Sequence, residues 1–505
     1  MFPASEPDDP PAVPTAVPPA VPPTVPPAVP PAVAPAEAPA DLPAVLRESA
    51  RNTREITATL NLALRIGELL LSSGAGASDV SAAMRNVAWA CGLRNYTADV
   101  MFTQLTMSHQ ASSEEPALIQ IRQVRYREVD YGDLTDVDHL IRDLVAGEID
   151  RSEATARLNR IISTGHARRR RSVTAALGVM GGGVAAVLGG DWLVVGVAAV
   201  AAVLVDLLQR QMSRRRLPTF YQQVAGGLLA TLIAVGLAAS HADVSSSLVI
   251  STSIVMLLAG VNFLGAIQDA LTGFPVTAGA RILEAFLGTA GVVAGVSGGL
   301  QVADVFGVSL GRLNPGAYSV ADTPVMVLGG AVAAAAYAFS AYAPRRSLAP
   351  IAGVAAVAIT AYAFVYHRGF GISWASALAA LLIGLVSYPV AARTKIPTLV
   401  VVAASITPFL PGLSIYRGLT LLATDSSKAL LAMVTAAAIA IALSSGAILG
   451  EYVAQPIRRE ARRLEGRLAG PRMVGPHSVR AVRGLRRRRA KKRSSTGSDG
   501  SANLS

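Results

Sequence analysis

The chain has 505 residues, of which 52% are hydrophobic and only 15% are charged, and its mean hydropathy is +0.45. Such a low share of charges cannot solubilise one large globule, which excludes an ordinary soluble protein of this length. The net charge of +12 comes mostly from arginines in short clusters beside apolar runs, which is typical of membrane topology signals rather than of a nucleic-acid-binding face.

The first 43 residues are a low-complexity segment of repeated Pro-Pro-Ala-Val and Pro-Pro-Thr-Val. Proline fixes φ and removes a backbone donor, so residues 1–43 are predicted to be a disordered, extended tether. The segment has neither the basic start nor the apolar stretch of a signal peptide.

Residues 44–166 are predicted to form a small cytoplasmic α+β domain. Apolar residues recur at helical spacing from Val45 to Leu71, and a second helix is expected from a Ser78 cap to Cys91. Two strand-like runs and two more helices follow, near residues 97–107, 118–129, 136–146 and 152–163. Cys91 is the single cysteine, so neither an internal disulfide nor a thiolate metal site can form.

Ten apolar segments follow, each close to the ~20 residues needed to cross the hydrocarbon layer. They lie near residues 173–190, 192–208, 223–240, 246–267, 283–302, 324–342, 347–366, 372–392, 396–415 and 428–452. If the N-terminal domain is cytoplasmic, the arginine-rich loops and the basic tail, residues 456–505, fall on the same side. The pattern predicts a multi-pass plasma-membrane protein with both termini in the cytoplasm and a disordered tail.

The spans divide into two sets of five, within residues 167–302 and 324–455. When the first set is shifted by about 152 residues, Leu257-Leu258-Ala259-Gly260 aligns with Phe409-Leu410-Pro411-Gly412. An odd number of spans per set gives the sets opposite orientations, as in carriers that bind substrate between inverted repeats; a chance match of apolar runs is the alternative. The predicted fold class is a mainly α-helical polytopic membrane protein, with about ten transmembrane helices as two five-helix inverted repeats behind the α+β domain.

Polar residues cluster around the end of the fourth span. Asn262 and Asp269 share one helix face, and Gln268 lies beside them. Arg281 and Glu284 open the fifth span. Polar and charged residues at membrane depth favour a function. Asn262 and Gln268 are predicted to contact the substrate, and Asp269 or Glu284 is predicted to carry the coupling proton. The three charged residues also lie near the cytoplasmic edge, where a structural ion pair explains them equally well.

The ninth span carries Pro408, Pro411 and Gly412, which interrupt its helical hydrogen bonds. The freed carbonyls need a neighbour, water or a ligand, which makes this segment a candidate substrate contact, with a simple proline kink as the alternative. Arg417 lies just beyond and either holds a substrate carboxylate or anchors in lipid head groups.

Asp206, near the inner end of the second span, either carries a coupling proton or pairs with Arg210 one helical turn away, and the pair is favoured. Gly181-Gly182-Gly183 is not followed by Gly-Lys-Ser/Thr and indicates close helix packing rather than a phosphate loop. His-Glu-x-x-His is absent, and His109 stands alone. No catalytic residue, metal site or cofactor is therefore predicted.

Several stretches resemble the threonine/serine exporter family. They are Gly67 to Ala75 with the helix ending at Gly92-Leu93, Gly260 to Asp269 with Arg281, and Pro408 to Gly412. The resemblance covers about residues 45–455 and implies export of threonine and serine, driven by the proton gradient or the membrane potential. The family also includes relatives whose two halves are separate chains, which fits the two sets of five spans.

The resulting prediction is a secondary exporter of threonine and serine whose substrate site lies between spans four, five and nine. The alternatives are a membrane-anchored enzyme or sensor acting through the N-terminal domain, an exporter of another small metabolite, and a passive channel. Residues 44–166 contain no reactive constellation, so the chain is predicted not to be an enzyme. A small amino acid and the lipid bilayer are the expected partners, nucleic acid is not, and self-association into a homo-oligomer stays open.

Overall fold

The computed structural model describes residues 44–124, 127–165, 168–240, 245–258, 260–308, 320–422 and 425–464; at 44–51, 260–262 and 455–464 it describes helix backbone alone. The chain divides into two compact units, residues 1–53 and 54–505, and the contacts reported below all lie within the second. The predicted proline-rich tether lies outside the described residues, as does the tail from residue 465 onward.

The N-terminal part of the chain contains four helices and one sheet among its described residues. They are α1 (Ala44–Ser72), α2 (Ala77–Ala90), β1 (Tyr96–Met101), β2 (Gln104–His109), β3 (Leu118–Gln123), α3 (Tyr131–Ala146) and α4 (Arg151–Thr164). The strands form an antiparallel sheet in the order β1-β2-β3. Residues 54–165 are called the head below.

The prediction of one strand over residues 97–107 is wrong, because this run folds into the β1–β2 hairpin. Met101 pairs with Gln104 across the turn. Phe102 there takes a positive φ of 53°, which turns the chain without the glycine or asparagine that usually marks a hairpin. The predicted Ser78 cap is also wrong, because the N-cap of α2 is Gly76, with no side-chain cap.

The rest of the described chain is helical and is called the bundle below. Its elements are α5 (Arg170–Val187), α6 (Trp192–Arg214), α7 (Thr219–Ala239), α8 (Ser246–Leu257), α9 (Gly260–Leu271), α10 (Pro275–Val305), α11 (Thr323–Ser340), α12 (Arg345–His367), α13 (Ile372–Thr394), α14 (Thr398–Ile406), a 3-10 turn (Thr407–Phe409), α15 (Gly412–Leu421) and α16 (Ser426–Leu464). The last helix continues past residue 455, where the tail was predicted to begin, because its sequence there is rich in strong helix formers.

Eight helical segments of the described chain are long and apolar enough to cross a membrane, by length and composition. They are Trp192–Arg214, Thr219–Ala239, Pro275–Val305, Val320–Ser340, Arg345–His367, Ile372–Thr394, Thr398–Leu421 and Ser426–Ala454. The first predicted span, which corresponds to α5, is not among them. The prediction of one helix for the fourth span, at 246–267, is wrong, because this segment is divided into α8 and α9, which have 12 residues each. The chain is a helical polytopic membrane protein.

Helix pairs of the bundle pack closely through small residues. The most extensive pairs are α13 with α16, α7 with α10, and α5 with α11. A Cβ added to Gly183 would lie 2.6 Å from the carbonyl oxygen of Gly329, so α5 and α11 touch backbone to backbone. This contact confirms close packing as the role of the glycines at 181–183.

One apolar core joins the head to the bundle. Leu134 of α3, Leu264 of α9 and Ala338 of α11 belong to the same cluster of buried side chains. The head is therefore packed onto the helix ends on one side of the bundle, called the head side below; the opposite side is the far side.

Candidate functional site

A break divides the segment from α14 to α15. Pro408 and Pro411 remove two backbone donors, and Leu410, which precedes a proline, is extended (φ −61°, ψ 140°). The interruption predicted at this motif is therefore present, and it separates two short helices by a 3-10 turn.

The second break lies between α8 and α9, and the two breaks are neighbours. A Cβ on Gly412, the first residue of α15, would lie 2.4 Å from the carbonyl oxygen of Ser251 and 2.5 Å from Val255 Cγ2. Both contacts belong to the last two turns of α8, which ends at Leu257. Only a residue without a side chain allows this approach. The N-terminus of α15 therefore rests against α8 just before its break.

A small cavity lies between the two breaks and is called the central cavity. Its volume is about 40 Å³. Its lining comes from α5, α8, α9, α11, α14 and the α14–α15 turn: Met180, Val255, Met256, Leu258, Leu264, Tyr337, Ala403, Ile406, Thr407 and Leu410. A cavity of this size holds about one water molecule. The bundle is therefore closed around its middle.

Two larger cavities flank the central one. The far cavity, of about 90 Å³, is lined by residues around the break between α14 and α15, including Pro408, Leu410 and Pro411. The head-side cavity, of about 210 Å³, is lined by residues of α5, α6, α11 and the head. Leu410 lines both the far and the central cavity, and Tyr337 lines both the central and the head-side cavity. The three cavities thus form a series, separated at these two side chains.

Two buried hydroxyls near the breaks lack a hydrogen-bond partner among the described residues. They are Thr252 Oγ1 on α8 and Ser405 Oγ on α14, both on fully buried residues. Thr252 lies one turn before Val255, which lines the central cavity. A buried hydroxyl without a partner is destabilising by about 1–3 kcal/mol, so such groups are where a ligand is expected. Sequence reasoning missed both; the hydroxyl-rich run from Ser245 to Ser253 was the available signal.

The predicted substrate-contact residues are only partly brought together. Pro408 and Pro411 line the far cavity, and Gly412 makes the contact with α8. Gln268 instead faces the head, with Nε2 3.5 Å from Asp79 Oδ2.

The remaining predicted residues lie elsewhere. Arg417 is on α15, five residues after its start at Gly412, and lines none of these three cavities. The side chain of Asn262 lies outside the described residues. Asp206 pairs with Arg210 at 2.7 Å, as the sequence favoured.

The charged residues predicted for coupling bind the head. Asp269 Oδ2 lies 2.9 Å from Arg281 Nη1, and both residues are buried. Asp269 Oδ1 accepts the Ala77 N–H at 2.7 Å, so this carboxylate satisfies a donor at the N-terminus of α2. Arg281 Nη2 donates to the Ala75 carbonyl at 2.9 Å.

Glu284 also faces the head, because its carboxylate lies 3.3 Å from Arg127. The position of all three charged residues thus matches the structural ion pair that the sequence left open.

The head also covers the head-side end of α11. The Tyr131 N–H donates to the Ala341 carbonyl at 2.8 Å, and the Tyr131 ring packs edge-on against Tyr337 with centroids 6.3 Å apart. Arg168, just before α5, lies over the Phe339 ring at 4.1 Å. Burial raises the pKa of Tyr131 well above its usual range, so the phenol stays protonated. The side chain that closes the central cavity on the head side is therefore held by the head.

Comparison with known proteins connects this architecture to one family. A threonine/serine exporter family model matches residues 61–303, and a second, described as "Threonine/Serine exporter, ThrE", matches residues 326–453. The chain is 34% identical over 460 residues to a probable threonine/serine exporter of Mycobacterium tuberculosis, covering 89% of this chain and 85% of the relative. The chain belongs to the threonine/serine exporter family. It is also 34% identical over 417 residues to the threonine/serine exporter of Corynebacterium glutamicum, covering 81% and 85%.

Membership of the threonine/serine exporter family confirms the resemblance seen in the sequence. The connection between α10 and α11 separates the two matched ranges, so the first covers most of the head and α5–α10 and the second covers most of α11 and the chain from there to residue 453. The family consists of transporters and not of enzymes, as predicted. No solved structure matches the chain significantly.

Proposed function

We propose that this chain exports threonine and serine across the plasma membrane by alternating access. The observation that carries the proposal is the series of three cavities. The central one lies between the two helix breaks and is bordered by Leu410 towards the far cavity and by Tyr337 towards the head-side cavity. An alternating-access carrier needs a site at mid-depth that two barriers close in turn. The names of the relatives supply the substrate.

The proposed architecture is ten spans in two inverted halves, residues 167–302 and 324–455, behind a cytoplasmic domain at 44–166. The equivalent pairs α7/α10 and α13/α16 support it, as do the equivalent starts of α9 at Gly260 and α15 at Gly412. With the head side in the cytoplasm, both termini lie there too, which agrees with the basic loops.

The proposed substrate site uses the ends of the broken helices. The N-terminal N–H groups of α15, near Leu413 and Ser414 in the far cavity, suit an amino-acid carboxylate, because a helix N-terminus favours negative charge. The carbonyls freed at Pro408 and Pro411 suit the ammonium group. The hydroxyl of Thr252 is placed to bind once the central cavity widens. The proton gradient or the membrane potential supplies the driving force.

The first test is transport itself. Cells with and without the protein are loaded with a threonine-containing dipeptide, and external threonine is followed with and without a protonophore. The proposal expects faster efflux with the protein and loss of this increment with the protonophore. Equal efflux from both strains removes threonine as substrate; efflux that resists the protonophore removes proton coupling.

The second test uses two equivalent substitutions. Thr252 and Thr231 are both fully buried in the bundle, but Thr231 Oγ1 already donates to the Gly227 carbonyl at 2.9 Å. Thr252→Val removes an unpaired hydroxyl, so folding is not weakened, while loss of one substrate hydrogen bond of about 1.5–3 kcal/mol lowers apparent affinity about ten- to hundred-fold. Thr231→Val is the matched control and keeps the wild-type affinity. Unchanged export affinity in Thr252→Val contradicts the assigned role of that hydroxyl.

A further inference from the structure

The head-side cavity is lined by two ion pairs. Arg170 Nη1 lies 3.2 Å from Glu128 Oε1, and Arg210 Nη2 lies 2.7 Å from Asp206 Oδ2. All four side chains line the same space of about 210 Å³. Glu128 belongs to the head and the other three to α5 and α6, so the cavity is complete only while the head is docked.

The charges of this cavity balance, and this balance selects a ligand class. Two carboxylates and two guanidiniums attract neither a net anion nor a net cation, whereas a zwitterion can exchange partners with either pair. Its carboxylate accepts from a guanidinium fork, and its ammonium group donates to the released carboxylate. Each charge then keeps an opposite partner. This avoids the cost of an unpaired buried charge at Asp206 and Arg210, whereas Arg170 and Glu128 are about half exposed and can exchange partners at little cost.

The cavity also borders the barrier to the central cavity. Tyr337 lines both spaces, and the Ser340 hydroxyl, which also lines the larger one, donates to the Tyr337 carbonyl at 2.8 Å. Asp206 lies inside the α6 span, and the two side chains of its pair are only 14–17% exposed. An isolated pair on one helix stabilises it by only about 0.3–0.5 kcal/mol, so helix stability alone gives little reason for this arrangement.

We infer that the head-side cavity is a vestibule that binds a zwitterionic amino acid through Arg170–Glu128 and Arg210–Asp206 before it passes Tyr337. This inference rests on the proposed export function. It gives the head a direct part in substrate loading, through Glu128.

The test measures threonine transport in inside-out and right-side-out vesicles made with the full-length chain. Asp206→Asn and Arg210→Gln are each expected to raise KM at least about ten-fold when threonine is presented to the head side, with the head-side kcat and the far-side KM unchanged. Asp425→Asn is the control for the loss of one carboxylate charge, because Asp425 forms a short-range pair with Lys428 at 2.9 Å, more exposed and outside this cavity. An unchanged head-side KM, or an equal rise on both sides, overturns the vestibule. Wild-type vesicles that move no threonine overturn the export function, and the vestibule with it.

A second measurement does not depend on removing a charge. Ser340→Cys, made together with Cys91→Ser, places one thiol in the cavity wall. A membrane-impermeant maleimide applied from the head side should label this thiol, and threonine should slow the labelling, with half-protection near the head-side KM. Labelling that threonine does not slow overturns the inference, even if the charge variants fail to fold.

Discussion

The buried pair of Asp269 and Arg281 provides the sharpest test of how the head is attached. Asp269 is fully buried, accepts the Ala77 N–H and pairs with Arg281, whose other nitrogen bonds the Ala75 carbonyl. Asp269→Asn keeps the size and an acceptor oxygen but leaves the guanidinium, only 7% exposed, without its counter-charge. The substitution should therefore weaken the head–bundle interface specifically.

The expected loss of stability follows from the burial of both partners. Removing one partner of a buried ion pair costs about 3–5 kcal/mol. With ~2.1 cal/mol/K of unfolding entropy per residue over roughly 400 residues, this lowers the melting temperature by about 5 °C. If the loss is confined to local opening, amide exchange at the start of α2 accelerates at least about 100-fold. Both quantities are measurable on the purified protein in detergent.

The informative comparison is the double variant, Asp269→Asn with Arg281→Gln. It removes both charges, so the stability lost in either single variant should be largely recovered, together with threonine export. If Asp269 carries the coupling proton, the double variant recovers stability but not export. Asp425→Asn, at an exposed pair, serves as the control and should change neither the stability nor the export of threonine. A double variant as unstable as the sum of the single variants refutes the reasoning.

Three further predictions concern other parts of the chain. Gly412→Ala should abolish export or folding, because its Cβ would meet backbone of α8, whereas Gly353→Ala, with nothing within 4 Å, should be tolerated; equal behaviour in export assays contradicts the proposed contact. Tyr131→Ala should lower the free energy of unfolding by about 3–5 kcal/mol, because the ring is fully buried, and the melting temperature should fall with it. An unchanged melting temperature refutes this. Burial raises the pKa of Asp138 to about 6 in the folded head, so its contribution makes stability fall as pH rises from about 4 to about 6, by roughly 3 kcal/mol. Asp138→Asn should therefore raise the melting temperature at pH 7.5 more than at pH 5, and an equal change at both pH values would count against it.

Local signals in the sequence were enough for most helices and for one of the breaks. Apolar periodicity placed α1 within one residue of its observed ends, and the prolines at 408 and 411 predicted the interruption before α15. The break after α8 was missed because it contains no proline; only its alignment with Pro411-Gly412 pointed to it. The β1–β2 turn was missed because Phe102 is not a residue that usually takes a positive φ.

The contacts of the predicted site residues could not be read locally. Asp269 was singled out because of its charge at membrane depth, but its partners include Ala77, 192 residues away. The same holds for Gln268, which faces the head rather than the breaks. Which face of a helix meets which neighbour depends on tertiary packing, and a single sequence with its helical periodicity does not contain that information.

The shared core of head and bundle has a consequence for how the protein is made. The head leaves the ribosome before the helices it packs against exist, and Ala77 precedes its partner Asp269 by 192 residues. At ~5–20 residues per second, this interval lasts about 10–40 s. During that time the apolar surface around Leu134, which later packs in one cluster with α9 and α11, is not yet covered by those helices. Docking is therefore a post-insertion step, and a nascent head is a natural substrate for chaperones until the bundle is complete.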